Sequence, residues 1–158
     1  MVASTARAAP GAKPGRRFNE GTVCQARSGI IPLRMHPRES AELDTEVLFG
    51  ECVTVLSQRN GWMHVRAELD GKEGFVQPQF FSDRLFTPTH RVRVPSVFTT
   101  RSRPVQSPFV AALGMNALVR VLTTPDKFSQ LQEIGWVNHS CLIPIDQYEK
   151  DFVEVAWR

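Results

Sequence analysis

From Gly21 onward the apolar positions fall in short runs, each closed by a turn former. The clearest run is Leu48-Phe49-Gly50-Glu51-Cys52-Val53-Thr54-Val55-Leu56. Val53 and Val55 alternate with polar Thr54, the period-two pattern of a half-buried strand. Asn60-Gly61 follows, and both residues tolerate the positive φ of a tight hairpin turn. Trp62-Met63-His64-Val65-Arg66 then reads as a second strand, with Trp62 and His64 on one face and Met63 and Val65 on the other. Asp70-Gly71 marks another turn, and Gly74-Phe75-Val76 a third strand. Pro78 has no N–H for a ladder, so the chain is expected to leave the sheet there.

The segment from Thr89 to Ile145 repeats this plan. Val92 and Val94 open it. Leu113-Gly114 echoes Phe49-Gly50, and Val119-Arg120-Val121-Leu122 echoes Val53-Thr54-Val55-Leu56. After the turn Thr123-Thr124-Pro125-Asp126, Phe128 stands where Trp62 stood. Gly135-Trp136-Val137 echoes Gly74-Phe75-Val76. The offset is 66 residues at the strand and the aromatic, and 61 at the glycine step, so the second copy has a shorter hairpin. Two copies with shifted spacing predict a duplicated small β-module.

The two ends differ from this body. Residues 1–19 lack apolar periodicity before Phe18 and read as a disordered basic leader whose removal leaves the modules stable. At the other end Asp146 and Glu149 form a capping box. Tyr148, Phe152, Val155 and Ala156 recur at helical spacing, so 146–158 reads as a short helix in need of a partner surface.

Charge sharpens this division. The net charge is +3, yet Arg7, Lys13, Arg16 and Arg17 place +4 in the first 19 residues, leaving −1 on the rest. A near-neutral body without interleaved basic and aromatic residues argues against nucleic acid as a partner. No window approaches a membrane span and no signal-peptide run is present, so membrane association is not expected and a cytoplasmic location is. Cys24, Cys52 and Cys141 form no C-x-x-C pair and fit neither a zinc site nor a disulfide framework. His36, His64 and His90 have no metal-ligand spacing, and no cofactor is expected. His139 and Cys141 lie two positions apart, which on a strand puts both on one face, but no third residue orients them as a hydrolase requires.

The order Leu48-Phe49-Gly50-Glu51, Asn60-Gly61-Trp62, Gly74-Phe75-Val76 resembles the first bacterial SH3 module of NlpC/P60-type cysteine peptidases. Thr89-His90-Arg91-Val92 is similar to the link into a second module in the subgroup with two. Gly135-Trp136-Val137 and Leu142 are similar to that module's end. Asp151-Phe152-Val153-Glu154-Val155-Ala156-Trp157-Arg158 resembles the first helix of the catalytic domain. The resemblance covers roughly residues 21–158. It implies an all-β fold of two small SH3-like barrels in tandem with a short C-terminal helix. The implied boundaries are 20–82 and 83–145 for the barrels, with 146–158 opening a catalytic domain that is absent. That family cleaves murein peptides between D-glutamate and a diamino acid, with a catalytic cysteine in an Asp-Cys-Ser-Gly type motif after that helix. The resemblance therefore implies a non-catalytic targeting and substrate-positioning region, with a murein peptide or a hydrolase catalytic domain as partner.

A different class of function is a free-standing adaptor that binds a peptide or protein in a barrel groove. Trp62 and Phe49 are its aromatic candidates, fewer than such sites normally use. For either function the loop from Arg34 to Glu46 takes the place of the long loop of an SH3 barrel. Arg34, Glu42 and Asp44 on that loop, with Trp62 as a stacking face, are the candidate ligand-binding residues; carboxylates there suit the free amine of a peptide.

Overall fold

A computed structural model describes residues 16–103 and 108–147. The expected C-terminal helix, 146–158, lies outside this range from residue 148 on, and Asp146 and Gln147 are not helical. The chain divides into two compact units, 1–85 and 86–158.

The first unit is built on β1 (Val23–Ala26), the hairpin β2 (Ile30–Arg34) and β3 (Leu43–Leu48), then β4 (Cys52–Arg59), β5 (Trp62–Ala67), β6 (Glu73–Val76) and β7 (Phe81–Ser82). They form one antiparallel sheet in the order β3-β2-β6-β5-β4-β1-β7. The period-two pattern decides which face turns inward. Val53, Val55, Met63, Val65 and Val76 are fully buried, while Trp62, His64 and Phe75 between them are only half-buried. Asn60 and Gly61 take φ of 52° and 80°, so the Asn-Gly turn forms as the sequence predicts. At Pro78 the chain leaves the sheet in a 3-10 turn, Pro78–Phe80.

The second unit repeats this wiring. Its strands are β8 (His90–Val92), β9 (Ser96–Thr100), β10 (Phe109–Gly114), β11 (Leu118–Val119), β12 (Val121–Thr123), β13 (Phe128–Leu131), β14 (Gly135–Asn138) and β15 (Leu142–Pro144). They lie in the orders β10-β9-β14-β13-β12 and β11-β8-β15. This is the order of the first unit with the equivalent of β4 split at Arg120, where Thr89 Oγ1 accepts the Val121 N–H at 2.9 Å. The described chain is thus all-β, two small SH3-like barrels in tandem. Its other regular elements are short 3-10 turns.

The hydrogen bonds correct one of the echoes. Gly50 N–H donates to Ala26 O, and Asn116 N–H donates in the same way to Val92 O. Gly50 has φ of 84° and Asn116 of 73°. The counterpart of Phe49-Gly50 is therefore Met115-Asn116, not Leu113-Gly114. Asparagine tolerates the left-handed conformation that this turn demands, so glycine is not required.

The expected leader also runs too far. Phe18 is buried in the core of the first unit. Its N–H donates to Gln58 Oε1 at 2.9 Å, Gln58 Nε2 donates back to Arg16 O, and Arg16 pairs with Asp83 at 2.6 Å. One large buried apolar side chain, with the Phe18 N–H and the Arg16 carbonyl both bonded to Gln58, makes residues 16–19 part of the barrel.

Candidate functional site

The glycine of the Gly-aromatic-Val motif allows the site to form. A Cβ on Gly74 would sit 2.6 Å from Leu33 Cγ and 2.9 Å from Arg34 O. Only glycine lets β6 approach β2 so closely, and that approach sets Phe75 opposite Arg34 on one side and His64 on the other. His64 and Phe75 stack with ring centroids 4.8 Å apart and 18° between planes. Continuing the register that pairs Met63 with Val76 brings Trp62 opposite Gln77. Gln77 donates to Glu39 Oε1 at 3.3 Å and accepts from Gln79 Nε2 at 3.0 Å. Alternation along the strands therefore gathers Arg34, Phe75, His64, Trp62 and Gln77 on one face, with Glu39 at its rim.

Of the residues expected to bind a ligand, Arg34 and Trp62 lie on this face. Arg34 also holds the hairpin together, since its Nη1 donates to Ala41 O at 3.0 Å. Glu42 and Asp44 are exposed along the hairpin. The expected loop from Arg34 to Glu46 is shorter than it reads. β3 begins at Leu43 and pairs with β2, and the irregular turn spans only 35–42. Its charged residues are compatible with a strand because β3 lies at the end of the sheet. Phe49, the other aromatic candidate, is 1% exposed and belongs to the core. The aromatic partner that the sequence reading missed is Phe75. The signal was present, since His64 shares a face with Trp62, but the register that brings Phe75 beside it comes from β5–β6 pairing.

The equivalent face of the second unit carries a cation over its aromatic ring. A Cβ on Gly135, which has φ of 91°, would lie 2.1 Å from Thr100 O, so β14 approaches β9 as β6 approaches β2. Trp136 then pairs with Thr100 and Gln130, the register of Phe75. Here the Arg103 guanidinium lies 4.5 Å above the Trp136 ring and is held by an ion pair to Asp126. Both rings are half-buried, but Phe75 stacks on His64 whereas Trp136 meets a cation.

His139 and Cys141 do not lie on a strand. They form a 3-10 turn, His139–Cys141, which sends positions two apart in different directions. His139 Nδ1 is hydrogen-bonded to the buried Ser129 hydroxyl at 2.7 Å, and His139 meets His90 edge-on at 5.7 Å. Burial pushes the Cys141 thiol up, the opposite of an activated nucleophile. Cys24, Cys52 and Cys141 are all free thiols, and burial pushes Cys24 up to about 12. Among the described residues no three metal-binding side chains converge, and no helix is long and apolar enough to cross a membrane.

The pattern of the bacterial dipeptidyl-peptidase SH3 domain matches residues 33–79, from the middle of β2 into the 3-10 turn. The first unit carries a bacterial SH3 pattern. No curated protein sequence matches the chain. Among solved structures it is similar to an NlpC/P60 family protein from Bacillus cereus ATCC 10987, with a TM-score of 0.68 and 11% identity, over 86% of this chain and 63% of that one. NlpC2 from Trichomonas vaginalis aligns with a TM-score of 0.34 and 15% identity, over 84% of this chain and 50% of that one. The chain thus spans less than two thirds of the length of either. At such identities the likeness to the Bacillus cereus protein is one of fold.

Proposed function

We propose that this chain is a non-catalytic targeting and substrate-positioning region of a murein peptide hydrolase of the NlpC/P60 type. The observation that carries the reading is the match of residues 33–79 to an SH3 domain of bacterial dipeptidyl-peptidases, set within a tandem-barrel fold. The face of Arg34, Phe75, His64 and Trp62 suits this role. A half-exposed aromatic stack receives the apolar part of a short peptide, and the Arg34 guanidinium receives a carboxylate. The exposed carboxylates of Glu39, Glu42 and Asp44 beside it suit a free amine. The free-standing adaptor remains the competing reading, and the aromatic stack of His64 and Phe75 is the observation in its favour.

Titration of the isotopically labelled chain with a murein tripeptide, and separately with a proline-rich peptide, distinguishes the two. Resonances of Arg34, His64, Trp62 and Phe75 are expected to shift with the tripeptide, and Trp62→Ala to abolish the shift. A response to the proline-rich peptide alone would establish the adaptor reading instead.

A further inference from the structure

A second concave surface lies entirely within the first unit, starting at Leu43, the cross-strand neighbour of Arg34. It is an open groove of about 430 Å³ between β3 and the β5–β6 turn. Leu43, Leu48 and Leu69 supply its apolar lining, with Leu43 and Leu69 50% and 78% exposed. Glu46, Glu51 and Asp70 supply its charge, and no lysine or arginine lines it. The ion pairs found among the described residues use none of these three carboxylates.

The wall formed by β3 is also a sheet edge. Phe49 N–H donates to Gly29 O, which sets the phase of the antiparallel ladder with β2. Val47 and Thr45 therefore turn their N–H groups toward β2 and Glu46 turns its own outward, whereas the outward C=O of Leu48 already accepts the Glu51 N–H at 3.0 Å. The opposite wall is firmly built. Ala67 N–H donates to Lys72 O, Gly71 N–H to Ala67 O, and Lys72 N–H to Asp70 Oδ1 at 3.0 Å.

We infer that this groove takes an extended polypeptide segment bearing lysine or arginine between leucine-like side chains, added as a strand along β3. The edge up to Glu46 gives main-chain hydrogen bonds, the leucines a surface for apolar side chains, and the exposed carboxylates of Glu46 and Asp70 select cationic over anionic segments. The inference does not rest on the murein reading, whose residues Arg34, Trp62, His64 and Phe75 do not line this groove.

The test is fluorescence anisotropy of a labelled Leu-Lys-Leu-Lys-Leu peptide with the full chain. Saturable binding is expected, weakened about fivefold or more by Glu46→Gln combined with Asp70→Asn, and weakened by salt. Replacing lysine by glutamate in the probe, or N-methylating alternate amides, is expected to abolish it. Circular dichroism of the double variant checks that the barrels stay folded. No binding, equal binding of the glutamate probe, or binding unchanged in the double variant would overturn the inference. So would concentration-dependent dimerisation abolished by Glu46→Pro, which would make the occupant of the edge a second copy of the chain.

Discussion

Single residues in this chain act mainly through where they let the backbone go. Gly74 and Gly135 lie 61 positions apart in sequence and solve the same problem in each barrel, the close approach of two strands. Alanine at Gly74 must displace Leu33 and the Arg34 carbonyl, and overpacking of this kind costs about 1–3 kcal/mol. Gly74→Ala is expected to lower the unfolding midpoint and loosen the His64–Phe75 stack; a denaturant melt and His64 resonances check both. Phe18 illustrates a residue whose importance its neighbours conceal. Phe18→Ala is expected to cost about 3 kcal/mol, because it leaves a cavity in the core. An unchanged melt would return residues 16–19 to the leader. Cys24 adds a dependence on pH. Its thiol is raised from 9.0 to about 12 in the fold, so the unfolded chain loses this proton first. The stability it contributes is fully present below pH 9 and lost as the pH rises toward 12, at about 1.4 kcal/mol per pH unit. Thermal melts between pH 8 and 10 are expected to fall less steeply in Cys24→Ala than in the parent chain.

At the scale of elements, the two barrels use one strand order and differ in what meets the aromatic ring on it. β6 presents Phe75 stacked on His64, whereas β14 presents Trp136 beneath Arg103. The difference arises in segments flanking the strands, since Arg103 follows β9 and Asp126 precedes β13. Removing the guanidinium uncovers the ring. Arg103→Ala is expected to increase acrylamide quenching of tryptophan fluorescence and to cost about 1 kcal/mol, the usual worth of an exposed cation–π contact. Unchanged quenching would mean that the ring is shielded by other groups.

For the whole molecule, the proposed role rests on holding a peptide rather than cutting it. His139 is engaged with Ser129 and Cys141 has a raised thiol, so this pair offers no ready nucleophile. Incubation of the chain with murein tripeptide is expected to release no cleaved product. Turnover that vanishes in Cys141→Ala would overturn the assignment.

Much of this was legible in the sequence because a β-barrel writes its two faces in alternate residues. Val53, Val55, Met63 and Val65 declared the core, Asn60-Gly61 declared the hairpin, and the repeated Gly-aromatic-Val step declared the duplication. Each rests on local physics: strand period, positive φ, and the missing Cβ of glycine. What the sequence could not declare depends on partners distant along the chain. Phe75 belongs beside Arg34 and His64 only through cross-strand register, and Phe49 is core rather than groove because the turn after β3 points it inward. Phe18 counts as barrel only because Gln58, forty positions on, satisfies its backbone. Local alternation assigns a side chain to a face, but only the closed sheet decides which faces meet, and that decision placed the candidate site.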